Sequence, residues 1–205
     1  MNRGLLSLPL YLVLLISLLS GCATVDQKIT LTYQPFDQTI GNNSGEVFVS
    51  RIDTSTPLRN RKGEWIIGSL NNVHAVREAD LLSNKALGEW VSDALIQELK
   101  QAGYTVAYSV KPPVNAARSM TIRDINVFLN VNSGAVSTET RHELKFNVDI
   151  FSNGTLIKTF TIAAIDNKTL ALGASIEEKE LIMRQSLQDA MRQIIPDLIA
   201  LFSRQ

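Results

Sequence analysis

The chain has 205 residues, 45% of them hydrophobic and 20% charged, with one cysteine, two histidines and a formal net charge of zero. That length suits one domain with short appendages, and it buries about 70% of the unfolded surface without covalent staples. One cysteine excludes an internal disulfide and a Cys/His zinc framework. The balanced charge excludes a protein built to neutralise nucleic-acid phosphates.

The first element is an export signal. Arg3 and the amino terminus are the only charges before Asp26, and Leu5 to Leu19 is an almost unbroken apolar run. The run is short for a spanning helix, which needs about 20 residues, and fits a secretory h-region. Leu19-Ser20-Gly21-Cys22 closes it. These four residues resemble the lipobox of bacterial lipoproteins. The resemblance implies that the Cys22 thiol receives a diacylglyceryl group and that signal peptidase cuts between Gly21 and Cys22. The freed amine then takes a third chain such as palmitate. Two or more acyl chains hold a protein stably on a bilayer. Ala23 stands where an inner-membrane lipoprotein carries Asp, which implies outer-membrane sorting. Cleavage removes residues 1–21, including Arg3, and leaves 184 residues with a formal balance of −1.

Residues 22–28 make a short lipidated tether spanning at most about 20 Å, followed by one periplasm-facing domain, 29–205. Ile29, Leu31 and Tyr33 alternate with Thr30, Thr32 and Gln34, which predicts a half-buried strand. Gly41 to Gly45 is a turn cluster, Val47 to Ile52 a second strand, Thr54 to Gly63 a loop and Glu64 to Leu70 a third strand. These three strands are expected to form a meander. Asn71 to Ser83 carries no clear period.

Ser83 or Asn84 is positioned to cap a helix running to about Gln101. Its apolar stripe is Leu87, Trp90, Val91, Ala94, Leu95 and Leu99, and Gly103 supplies a left-handed stop. Tyr104 to Val110 alternates as a strand, halted by Pro112-Pro113. Apolar residues then change phase from Met120 and Ile122 to Ile125, Val127, Leu129 and Val131. That shift predicts a bulge near Arg123-Asp124. Leu144 to Ile150 alternates cleanly. Asn153-Gly154 predicts a type I′ hairpin, with Leu156, Phe160, Ile162 and Ala164 on the return strand. Ser175 and Glu178 match a capping box for a last helix striped by Ile176, Met183, Leu187, Ala190, Met191, Ile194 and Leu198, with Pro196 kinking or restarting it. The fold expected is α+β, a two-layer sandwich of a mainly antiparallel sheet with two amphipathic helices on one face.

From Leu87-Gly88-Glu89-Trp90-Val91 through Ala102-Gly103-Tyr104-Thr105-Val106, then the long strand, the Asn153-Gly154 hairpin and the final helix, the chain resembles the YajG-type family of uncharacterised bacterial lipoproteins. The resemblance spans about the last 120 residues plus the lipobox. The family has no established catalytic residues, so only Cys22 carries over, as the lipid attachment site.

Groups for chemistry are sparse. His142-Glu143 opens like a zinc-protease motif, but Phe146 occupies the second histidine position. His74 and His142 read as surface residues, and no metal site is expected. Arg51, Arg59, Arg61 and Lys62 form a small basic cluster, able to meet anionic headgroups or simply to solvate a turn. Leu170-Ala171-Leu172 either makes an exposed contact or packs beneath the last helix. The leading expectation is a non-enzymatic accessory or assembly factor acting on an envelope protein partner, with no cofactor beyond the lipid on Cys22. An alternative is a lipid-handling auxiliary module with a groove lined by Trp90, Met183, Leu187 and Met191, four residues that would equally line an ordinary core, the reading a domain of this size favours. A remote alternative, an envelope hydrolase, requires Asp124, His142 and Glu143 to converge.

Overall fold

A computed structural model describes residues 25–36, 43–52, 58–171 and 173–204. The signal segment, Gly21, Cys22, Thr54 to Pro57, Leu172 and part of the Gly41 to Gly45 cluster lie outside the described residues. Eight strands and two helices follow in order: β1 (Gln27–Ile29), β2 (Glu46–Ile52), β3 (Trp65–Asn71), β4 (Arg77–Ser83), α1 (Leu87–Gln101), β5 (Thr105–Tyr108), β6 (Arg118–Ser133), β7 (Ser137–Ser152), β8 (Thr155–Ala171) and α2 (Ile176–Phe202).

The α+β class stands, and the sheet is a curled, mixed one. Its antiparallel part is the expected one: β6, β7 and β8 pair in succession, and β3 pairs with β4. The mainly antiparallel expectation fails elsewhere, because β1 with β4, β2 with β5, β2 with β6 and β3 with β6 are all parallel. The three-strand meander is absent as well. β2 is apolar on both faces because it is an interior strand, flanked by β5 and β6, neither of which is its neighbour in sequence.

β6 organises the sheet. One edge carries β7 along its whole length. On the other, Ser119–Arg123 pairs with β2 and Leu129–Asn132 pairs with β3. The bulge sits between these two partners. The β6–β7 register breaks between Arg123 and Asn126, and Asp124 adopts a φ of 55°. The extra residue flips the side-chain phase, so Met120 and Ile122 before it and Val127, Leu129 and Val131 after it all reach one core. The Asn153-Gly154 turn has φ values of 48° and 77°, as a type I′ turn requires.

Both helices bury their stripes in that same core, except that Leu87 is only partly buried and Ile176, at the start of α2, is 40% exposed. α1 ends in a Schellman closure: Tyr104 N–H donates to Leu99 O (3.1 Å) and Gly103 N–H to Lys100 O (3.0 Å), with Gly103 at φ 91°. Its start departs from expectation. Ala86 occupies the N-cap without a side-chain bond, Ser83 turns onto the backbone of Lys85, and Asn84 is used elsewhere. α2 has the expected capping box between Ser175 and Glu178. It runs unbroken through Pro196 instead of restarting there. Ile194, Ile195, Leu198 and Phe202 are buried on both sides of the proline, and this packing offsets the cost of a proline inside a helix, about 3 kcal/mol for the lost hydrogen bond and the ring clash together. The segment without a clear period contains β4. Only Ala79, Leu81 and Leu82 mark its buried side, and Arg77 and Glu78 face solvent.

Candidate functional site

The cleft between the two helices holds the protein's own N-terminal segment. Beyond β1 the chain stays extended to Phe36, with Ile29 and Leu31 buried at 1% and 2% exposure. Side chains from both helices and the α1 approach meet its backbone. Leu31 N–H donates to Asn84 Oδ1 (2.8 Å), Thr30 N–H to Glu180 Oε1 (2.7 Å) and Phe36 N–H to Glu98 Oε1 (3.2 Å). The Trp90 indole donates to Thr32 O (2.9 Å) and the Gln188 amide to Gln34 O (2.9 Å). An extended segment off the sheet would otherwise carry unpaired polar groups, and these bonds satisfy them.

Glu98 is the latch of this strap. It is 2% exposed and accepts the Tyr33 hydroxyl as well as Phe36 N–H. Burial pushes its carboxyl above the usual range, partly offset by those two bonds and by the charge of Arg192. The Tyr33 phenol is also pushed up, by burial first and then by its bond to Glu98. Glu98 was absent from the expected stripe, although it lies three, four and seven residues after Leu95, Ala94 and Val91. Lys179 was passed over in the same way. It is buried at 2% exposure and bonded to the carbonyls of Ala174 and Ser175.

Trp90, Met183, Leu187 and Met191 close into an ordinary core at 0–1% exposure and line no lipid groove between the helices. A separate groove of about 460 Å³ is lined by Phe36, Arg192, Ile195, Pro196 and Ile199. The Arg192 guanidinium stands 4.9 Å over the Phe36 ring and pairs with Asp189 (2.5 Å).

The four basic residues lie on different local structures. Arg51 is half-buried at the end of β2 and lines a hollow with Glu89, Ser92, Asp93, Ile96 and Tyr108. Arg59 lies 3.6 Å above the Trp65 ring. Arg61 and Lys62 are exposed on a turn closed by Asn60, whose Oδ1 accepts from Lys62 N–H (3.0 Å) and Glu64 N–H (2.9 Å). Lys28 pairs with Glu64 beside that turn (2.5 Å).

The three residues a hydrolase would need are separated by the pleat and the bulge. His142 is fully buried, on the same β7 face as Leu144 and Phe146. Its placement corrects the surface reading, and the alternation Leu144, Phe146, Val148 carried back two residues would have found it. Neither ring nitrogen has a hydrogen-bond partner, and burial pushes its pKa down to about 4. Glu143 faces the other side of the sheet and pairs with Lys145. Asp124 bonds to Arg123 and to Asn147 (2.8 Å), within a polar ladder that also ties Arg123 to Asp149 (2.6 Å) and Asp149 to Thr159 (2.6 Å). His74 is exposed. Among the described residues no three His, Cys, Asp or Glu side chains are placed to hold a metal, and no helix is long and apolar enough to cross a membrane. Leu170 packs against the core and Ala171 is exposed, while Leu172 lies outside the described residues.

The fold is similar to that of protein XCC0632 from Xanthomonas campestris, of the family DUF330. The TM-score is 0.55 at 7% identity, over 89% of this chain and 98% of that one. A minor lipoprotein from Acinetobacter baumannii aligns with a TM-score of 0.42 at 17% identity, over 65% of this chain and 90% of that one. No protein of curated function matches the sequence. The profile of the Lipoprotein_16 family, described as uncharacterized lipoprotein, matches residues 70–198, more than half of the chain. The chain belongs to this family of uncharacterised bacterial lipoproteins.

Proposed function

We propose that the protein is a non-enzymatic lipoprotein of the cell envelope, an accessory or assembly factor that acts by contacting an envelope protein. Acyl chains on Cys22 hold it at the periplasmic face of the outer membrane. The observation that carries the contact reading is the margin of the sheet. β8 is 17 residues long, and among the described residues no strand pairs with its outer edge. A long strand edge is a template for another chain, and partner proteins use such edges by adding a strand. Photo-crosslinking residues placed at Thr161, Ala163 and Ile165 of the full-length protein, activated in intact envelopes, test it. A discrete protein adduct is expected; adducts to lipid alone, or none, would sink the reading. Cys22→Ala should abolish both cleavage and lipid labelling.

The lipid-handling reading has one feature in its favour, the groove of Phe36, Ile195, Pro196 and Ile199 with Arg192 at its side. It predicts lipid in the native mass spectrum of a soluble domain lacking residues 1–22. An empty domain removes it.

A further inference from the structure

The path of the chain upstream of β1 fixes which end of the domain the lipid anchor reaches. β1 runs parallel to β4, with Gln27 beside Leu81, and the Asp26 carboxylate accepts Asp80 N–H (2.9 Å). Going upstream, the chain therefore heads towards the start of β4 and the β3–β4 turn. Cys22 is four residues before Asp26, just as Val76 is four before Asp80. Four residues span at most about 14 Å, so Cys22 stays within that distance of Asp26, at the end of the domain where β4 starts.

Other connections meet at this end. Asn71, the last residue of β3, pairs with Asn132 near the end of β6, and their side-chain amides bond (2.8 Å). This puts the β6–β7 turn beside the β3–β4 turn. Ser137 in turn pairs with Ala171, which brings the end of β8 to the same rim. Both turns are closed internally. Asn72 Oδ1 accepts from His74 N–H (2.9 Å) and Val76 N–H (3.1 Å), and Gly134 N–H donates to Ser137 O (2.8 Å). Each turn is held by these internal bonds, yet its apolar side chains point away from the core. Val73 is 60% exposed, Val76 57% and Val136 86%, and Val25 on the incoming chain is 72% exposed. Arg77 beside them is neutralised by Asp80 (Nε to Oδ1, 2.7 Å).

The geometry points to this valine rim as a second membrane contact, seated among the headgroups of the bilayer that carries the acyl chains of Cys22. The inference rests on the lipoprotein reading above and adds an orientation to it. A tether this short keeps the rim at the bilayer, and turns with closed backbones and outward valines suit the interface. The domain then stands on the ends of β3, β4, β6 and β7. The Asn60–Gly63 turn with Arg61 and Lys62 lies at the far end of β3, about 20 Å away along the strand, and faces the aqueous side. The Asn153-Gly154 hairpin lies at the opposite end of the long strands.

The test uses the full-length lipidated protein in vesicles of phosphatidylethanolamine and phosphatidylglycerol doped with a headgroup nitroxide lipid. Single variants Val73→Cys, Val76→Cys, Val136→Cys, Arg61→Cys and Leu156→Cys carry a bimane label, and palmitate incorporation at Cys22 is measured in parallel. Several-fold quenching is expected at 73, 76 and 136, with little at 61 and 156. Palmitate incorporation with no quenching at the three valine positions, or with stronger quenching at 61, overturns the orientation and leaves the lipoprotein reading intact. Absence of palmitate overturns the lipoprotein reading and the orientation with it.

Discussion

The hydroxyl of Tyr33 donates to the carboxylate of Glu98, and through that bond the N-terminal strap is fastened to buried α1. Removing the acceptor leaves both the Tyr33 hydroxyl and Phe36 N–H without a partner. Glu98→Ala should therefore destabilise the domain by on the order of 3 kcal/mol, read as a shift of the urea midpoint at pH 7. Glu98→Gln keeps an acceptor oxygen and should stay within about 1 kcal/mol of the parent. Because the folded carboxyl binds its proton more readily than the unfolded one, its contribution is full below the ordinary value of 4.5 and declines as pH rises through the folded value. The gap between parent and Glu98→Gln should move in favour of the variant over that interval.

His142 gives the opposite slope. Folding holds its imidazole neutral down to about pH 4, against 6.5 in the unfolded chain. Below pH 6.5 the unfolded state takes up a proton that the folded state refuses, so stability falls as pH falls. The loss should approach on the order of 3 kcal/mol by pH 4 and then level off. Urea melts from pH 8 to 4 should show this loss in the parent and not in His142→Leu. His142→Gln serves the same comparison if the leucine variant packs poorly. An unchanged slope in both would mean that His142 does not titrate as its burial demands.

At Gly68 the backbone of β3 packs tightly against β6. A Cβ built there lies 2.0 Å from the carbonyl oxygen of Leu129, so a side chain can be accepted only if the strands separate. Gly68→Ala should cost about 1–3 kcal/mol, and hydrogen exchange should quicken in Gly68–Asn71 and Leu129–Asn132 before it does in β7 or β8.

The Ser175–Glu178 capping box starts the helix that covers β8 and grips the strap through Glu180 and Gln188. Ser175→Ala should lower stability by about 1 kcal/mol. Ser175→Asp should retain most of it, since a carboxylate also caps and suits the helix N-terminus. Thermal melts of the two variants distinguish capping from any other role of the serine.

Local patterns carried much of the architecture. The bulge at Asp124, the type I′ turn at Asn153-Gly154, the Gly103 stop and the Ser175 cap were all legible, because each depends on a few adjacent residues and on φ preferences they carry with them. The helix stripes were legible for a similar reason, periodicity being a property of one element. What escaped was partnership. Alternation tells that a strand is half-buried but not what lies beside it, so β2 and β3 looked like a meander when each is a parallel neighbour of a different half of β6.

Buried polar groups were misjudged for the same cause. His142, Glu98 and Lys179 sit on apolar faces, but residue type argued for the surface; Lys179 finds its partners in the carbonyls just before its own helix, whereas only tertiary packing supplied those of Glu98 and left His142 with none. By itself the sequence determined the α+β class, the Asn153-Gly154 turn, the Gly103 stop, the Ser175 cap and the family, and it singled out Cys22, all of which follow from short-range chemistry. Tertiary structure alone decided that the cleft between the helices is filled by residues 29–36, that Asp124, His142 and Glu143 stand apart, and that Val73, Val76 and Val136 are exposed at one end of the sheet. Those outcomes depend on strand order and register, set by which distant segments bury one another.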